Sequence, residues 1–159
     1  MQRNCQACDL FGEPPPVDVD TERALIACLV LSAGAWKDVT AKILGECVES
    51  DFGREAHRVL FSSIQRAMKK RVGLRGRYLV GWLKRDGVFF ERVSFHDAHE
   101  ILSAWWMRGN LDYYIRRLRE VAKKRAAIEG TWDLIPVAYD GDTEKWLARA
   151  KAAISEVER

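Results

Sequence analysis

Cys5 and Cys8 form a C-x-x-C pair in the opening stretch MQRNCQACDLFGEPPP, and His96 and His99 stand three residues apart on a predicted helix. Two thiolates and two imidazoles are a tetrahedral zinc set in principle. Such a site needs a second close pair held by folded structure, and a single C-x-x-C in a Gly- and Pro-flanked segment reads by default as part of a flexible tail. Cys5 and Cys8 are kept as metal candidates on that condition, with no metal and no cofactor as the expectation. Cys28 and Cys47 sit in apolar helical contexts, where a free thiol acts as a small hydrophobe and needs no oxidising compartment.

The second chemical feature is charge. RAMKKRVGLRGRYLVGWLKR, from Arg66 to Arg85, carries eight basic side chains and no acid, although the chain as a whole is only +3 with 26 basic and 23 acidic residues. Lys69, Lys70, Arg71, Arg75 and Arg77 are the candidate contacts to nucleic acid or to an acidic partner, and the alternative is an ordinary solvated face. Tyr78 and Trp82 could stack on bases. Their i, i+4 spacing equally describes a helical core stripe.

Enzymatic signatures are missing. No G-x-x-x-x-G-K-[ST] loop occurs, and VGLRGR has neither its length nor its Lys-Ser/Thr end, so no nucleotide hydrolysis is expected. There is no G-x-S-x-G elbow, and HDAH has the wrong spacing for a zincin helix. Asp18 with Asp20, and Asp140 with Asp142, fall at turns and helix starts, where capping accounts for them. No enzyme is expected, and with no apolar run near the ~20 residues of a membrane span and no signal-peptide core, the expected location is the cytoplasm without membrane contact.

The elements that must carry these residues are helical throughout, and 48% hydrophobic content over 159 residues allows a real core. Asp20 can cap TERALIACLVLSA, with Leu25, Cys28 and Leu29 on its buried side. AWKDVTAKIL follows and is expected to stop at Gly45, then REAHRVLFSSIQRAMKK with Gly73 beyond it. RYLVGWLKRDG is a shorter helix, and Ser94 with Asp97 makes a capping box for FHDAHEILSAWWM, whose apolar side holds Phe95, Ala98, Ile101, Leu102 and Trp105. NLDYYIRRLREVAKKRAAIEG places Leu111, Tyr114, Ile115, Leu118, Val121 and Ile128 on one stripe. Pro136 should kink or break its continuation, TWDLIPVAYDGD. Asp142 caps TEKWLARAKAAISEVE, which carries Leu147, Ala150, Ile154 and Val157.

The expected fold is therefore all-α, a compact multi-helix head followed by an antiparallel helical hairpin, with a tail over 1–17, the head over 18–108 and the hairpin over 109–159. Tyr113, Tyr114, Ile115, Leu118, Trp132 and Trp146 offer more apolar and aromatic surface than one mutual contact of two helices needs. They are the candidate self-association residues.

In order along the chain, PPPVDVDTERALIACLVL, DFGREAHRVLFSSIQRAMKK, NLDYYIRRLREVAKKRAAI and DTEKWLARAKAAISEVE resemble the N-terminal domain of DnaB-type replicative DNA helicases, from Pro14 to about Glu158. Asp51, Phe52, His57, Leu60 and Phe61 match the D-F-[YF]-x-x-x-H-x-x-[IL]-F segment, and Asn110, Leu111, Tyr114, Leu118, Arg119 and Glu120 match the N-[IV]-x-x-Y-x-x-x-[VL]-[RE]-E segment. Gly53 replaces the usual aromatic, Gly130 and Pro136 interrupt the hairpin, and residues 1–159 stop before the position at which the RecA-like ATPase domain follows in a full helicase. The resemblance implies a collar module of the replication machinery: it pairs with itself as a dimer or ring of dimers and meets primase or a helicase loader. The readings beside it are a stand-alone regulator that binds a helicase, and a helical domain making weak non-specific DNA contacts.

Overall fold

The computed structural model describes residues 14–32, 36–75, 77–104, 110–139 and 141–158. Among these the chain forms seven α-helices: α1 Val19–Ser32, α2 Lys37–Glu46, α3 Glu55–Lys69, α4 Arg77–Arg85, α5 Phe95–Ser103, α6 Leu111–Tyr139 and α7 Thr143–Glu158. A 3-10 turn, Glu49–Asp51, joins α2 to α3. The fold is all-α. Cys5, Cys8 and Trp105 lie outside the described residues.

Two compact units emerge, residues 17–120 and residues 1–16 with 121–159. In the first, α1 packs against α2, α3 and α5. Every residue of α1 from Ala24 to Val30 is buried, so the helix is enclosed on all sides, not along the one face that Leu25, Cys28 and Leu29 suggest. Phe52 and Phe61 lie in the same core with ring centroids 4.7 Å apart. Leu111, Ile115 and Leu118 belong to it too, so the first turns of α6 are part of the head and the compact unit runs past residue 108 to Glu120.

The helix ends follow local chemistry, with some changes from expectation. Asp18, not Asp20, caps α1: its carboxylate accepts from the Thr21 N–H at 3.1 Å and its carbonyl from the Glu22 N–H. Asp20 sits one residue inside, exposed, beside Arg23. Gly45 lies within α2, whose end comes when Cys47 turns extended and drops its side chain into the core. After α3 the left-handed residue is Arg71 (φ 57°), and the Val72 N–H returns to the Ala67 carbonyl at 2.9 Å, closing the helix without help from Gly73. Ser94 and Asp97 form the expected capping box on α5, whereas Phe95 points to solvent and stacks on His99.

In the second unit, Pro136 does not break α6. It falls one residue before Val137 in the last turn, and the helix ends at Tyr139, so the missing N–H costs a single bond near an end that frays in any case. Gly141, at φ 75°, makes the turn, and Asp142 caps α7 by accepting from the Lys145 N–H at 3.0 Å. Gly130 lets α7 come close: a Cβ there would lie 2.9 Å from the Ala153 Cβ. Buried Arg125 donates to the Pro16 carbonyl at 3.3 Å, which fastens the segment before α1 to α6.

Candidate interaction surfaces

Titratable groups converge at one place inside the head, and sequence reasoning missed it. Glu22 of α1 and His57 of α3 are both 0% exposed. The Glu22 carboxylate accepts from the Gly53 N–H at 2.6 Å, the Arg54 N–H at 3.3 Å and His57 Nδ1 at 2.7 Å. His57 Nε2 has no partner among the described groups. Outside this pair the Arg54 guanidinium reaches Asp97 at 3.1 Å and Glu100 at 3.4 Å, and Arg23 reaches Glu100 at 2.5 Å. Burial pushes the Asp97 carboxyl up, but hydrogen bonds from Ser94 and the charge of Arg54 outweigh it and hold the group below the usual range.

This arrangement clamps α1, the 52–54 segment and α5 together. It offers no nucleophile, and a histidine and carboxylate without solvent access cannot exchange protons with a substrate. The signal available in the sequence was slight: a lone glutamate two residues ahead of an unbroken apolar run, and a histidine four residues after Gly53. His96 pairs with Glu100 at 3.5 Å and His99 stacks on Phe95, so neither is set toward a metal, and no cluster of metal-binding groups occurs among the described residues. Burial pushes the Cys47 thiol up to about 12, with Asp51 and Glu46 adding to the shift.

The basic run is divided by the fold. Asp86 takes Arg66 in a close pair and also accepts from Ser63, and the Arg66 hydrogen bond holds its carboxyl low. Arg75 donates twice to the Leu31 carbonyl. Lys69, Lys70, Arg71, Arg77, Lys84 and Arg85 are exposed, and none of them pairs with a carboxylate among the described residues. Trp82 and Tyr78 part company: Trp82 is 5% exposed and donates to the Ser63 carbonyl at 3.0 Å, whereas Tyr78 is 60% exposed.

The self-association candidates divide as well. Ile115 and Leu118 are 1% exposed in the head core, covered by the chain's own side chains, and Tyr114 packs against that core. Tyr113 is exposed. In the second unit Trp132 and Trp146 are half-buried, and Trp146 lines a shallow recess with Val137, Ala138 and Asp142 at the turn. Apolar surface is open at Tyr139, near the end of α6, and along α7, where Leu147 is 45% and Ile154 60% exposed. Seven residues apart, they share a face with Ala150 and Val157.

A family profile described as DnaB-like helicase N-terminal domain matches residues 14–120, most of the chain. The chain belongs to that DnaB-like family. Among its relatives, the replicative DNA helicase DnaB of Mycobacterium leprae (strain TN) is 25% identical over 151 residues, covering 92% of this chain and 24% of the relative. The chain thus spans about a quarter of that protein's length. The crystal structure of the N-terminal domain of DnaB helicase from Mycobacterium tuberculosis matches with a TM-score of 0.77 at 24% identity, over 91% of this chain and 99% of that one. At that identity the likeness shows a shared fold, a DnaB N-terminal fold that includes the hairpin beyond residue 120. No helix among the described residues is long and apolar enough to cross a membrane.

Proposed function

We propose that the chain is a non-enzymatic oligomerisation and protein-interaction module of the DNA replication machinery. It self-associates as a dimer or ring of dimers through the hairpin, has primase or a helicase loader as its further partner, and works in the cytoplasm. The observation that carries this reading is the face of α7. Leu147 and Ile154 stand two turns apart with Ala150 and Val157 between and beside them, an apolar strip left open while the inner side, at Ala153, meets Gly130. A second copy covers such a strip economically, because a two-fold axis sets one strip against its own image and each residue is buried twice.

This revises which side chains form the seam. Ile115 and Leu118 cannot serve without opening the head, so a charge at Leu118 reports on folding and not on association. The informative variant is Leu147→Asp with Ile154→Asp, both on exposed positions. At about 1.5–3 kcal/mol for each fully buried side chain, and somewhat less for these half-open ones, losing four in a symmetric dimer weakens a micromolar association beyond detection. Sedimentation equilibrium should find a dimer or larger species for the parent and a monomer of unchanged helicity for the double variant. A parent that stays monomeric at about 100 μM would refute the proposal.

A further inference from the structure

We infer that the outward face of α4, with the end of α3, is a binding track for the sugar-phosphate backbone of single-stranded nucleic acid. The inference is independent of how the hairpin associates. Charge is the first ground. The segment from Arg66 to Arg85 holds eight basic residues, and the rest of the chain is left with 18 basic against 23 acidic, so the protein is polarised far beyond its net +3. Six of the eight cations are exposed and unpaired with any carboxylate among the described residues. A polyanion relieves that repulsion and releases its own counterions on binding.

The geometry gives the second ground. Arg77, Tyr78, Gly81, Lys84 and Arg85 fall within an arc of about 120° on α4 at 100° per residue. All five are exposed, and Leu79, Trp82 and Leu83 occupy the opposite, buried arc. Lys70, just past the end of α3, and Arg85 from α4 lie over the same Trp82 ring, 5.5 and 5.7 Å from its centroid, so the two helix ends bring their cations to one place. Gly81 is at the middle of the arc. Glycine inside a helix is unfavourable, and here no packing explains it, since a Cβ would meet nothing within 4 Å. Its effect is a low floor between basic walls, where another backbone can come close.

Two features select nucleic acid over an acidic protein segment. Protein partners rely on a buried apolar centre, and this face has none to give because its apolar residues are spent in the core. Tyr78, 60% exposed with the Arg77 guanidinium 5.7 Å from its ring centroid, is a stacking platform at the edge of the track, of use to an unpaired base and of none to a carboxylate. Binding of this kind reads no sequence, and it should fade near physiological salt for a single copy.

The test is fluorescence anisotropy with a labelled oligothymidylate of about 20 nucleotides, titrated at several salt concentrations. With six phosphate contacts the plot of log affinity against log salt should have a slope of about −4. Arg77→Glu with Lys84→Glu should weaken binding at least ten-fold and flatten that slope, with helicity unchanged because both positions are exposed. Tyr78→Ala should weaken binding severalfold while leaving the slope alone, and Gly81→Leu should weaken it without any change of charge. Failure of the parent to bind saturably at 50 mM salt would overturn the inference. So would parent-like binding by the double charge reversal, or equal affinity for a polyglutamate of matched length.

Discussion

Replacing Glu22 by Ala removes one acceptor atom pair from three donors at once: the Gly53 N–H at 2.6 Å, the Arg54 N–H at 3.3 Å and His57 Nδ1 at 2.7 Å. Hydrogen bonds to a charged acceptor contribute about 1.5–3 kcal/mol each, and buried donors left unpaired are penalised in turn. Against this stands the relief of no longer desolvating a carboxylate that is 0% exposed. The stranded donors outweigh that relief, because two of them are backbone groups that cannot turn away, and the net loss should be about 3–5 kcal/mol. With a urea m-value of about 1–3 kcal/mol/M for a domain of this size, the midpoint falls by about 2 M. Helicity followed against urea measures it, and His57→Ala alone and with Glu22→Ala completes a cycle whose coupling should exceed about 1 kcal/mol. A midpoint shift worth less than about 1 kcal/mol, or additive single variants, would refute the reasoning and make the carboxylate a passenger in the core.

Two further outcomes follow from the same geometry. Burial works against the charged forms of Asp18 and Asp97, yet hydrogen bonds from Arg117 and Ser94 hold both carboxyls below the usual value, and the Arg66 bond does the same at Asp86. Depressed carboxyls take up protons on unfolding. Their contribution is therefore complete above about pH 4 and is lost as pH falls through the depressed values, so urea midpoints that stay level between pH 5 and 2.5 would contradict it. Gly130→Ala gains about 1 kcal/mol of helix propensity but drives a methyl to 2.9 Å from the Ala153 Cβ, and overpacking of about 1–3 kcal/mol should prevail. Hydrogen exchange of residues 121–158 should quicken in that variant and recover when Ala153→Gly is added; a slower exchange in the single variant would show that the helices yield freely.

Regular features of the fold were legible where one local rule decides them. Ser94 with Asp97 and Asp142 before α7 each depend on atoms within a few residues, and both caps formed as read. Ile115 and Leu118 on the stripe of α6 belong to the core of the head, and periodicity marks such a stripe for burial without showing whether the head or another chain covers it. Tyr78 and Trp82 have the same difficulty: an i, i+4 pair looks like one stripe, and only the packing of α4 on Ser63 turns one ring inward and leaves the other outside. Glu22 was illegible for a deeper reason. Its three partners come from positions 31 to 35 residues away, and no pattern along the chain announces a contact of that range.

The enclosure of α1 bears on how the fold settles on one arrangement. A helix apolar on a single face is oriented by that face, but seven successive buried residues from Ala24 to Val30 make α1 nearly indifferent to rotation about its axis and to sliding by a turn. Oil alone would accept several such poses. Only one of them brings the Glu22 carboxylate under the amides of Gly53 and Arg54, and every other strands a charge in the interior. The polar contact thus acts as the key of a keyed shaft: a sequence that exchanged Glu22 and His57 together for well-packed apolar residues should free α1 from its single angular position, while the Gly53 and Arg54 amides would still be left without their acceptor.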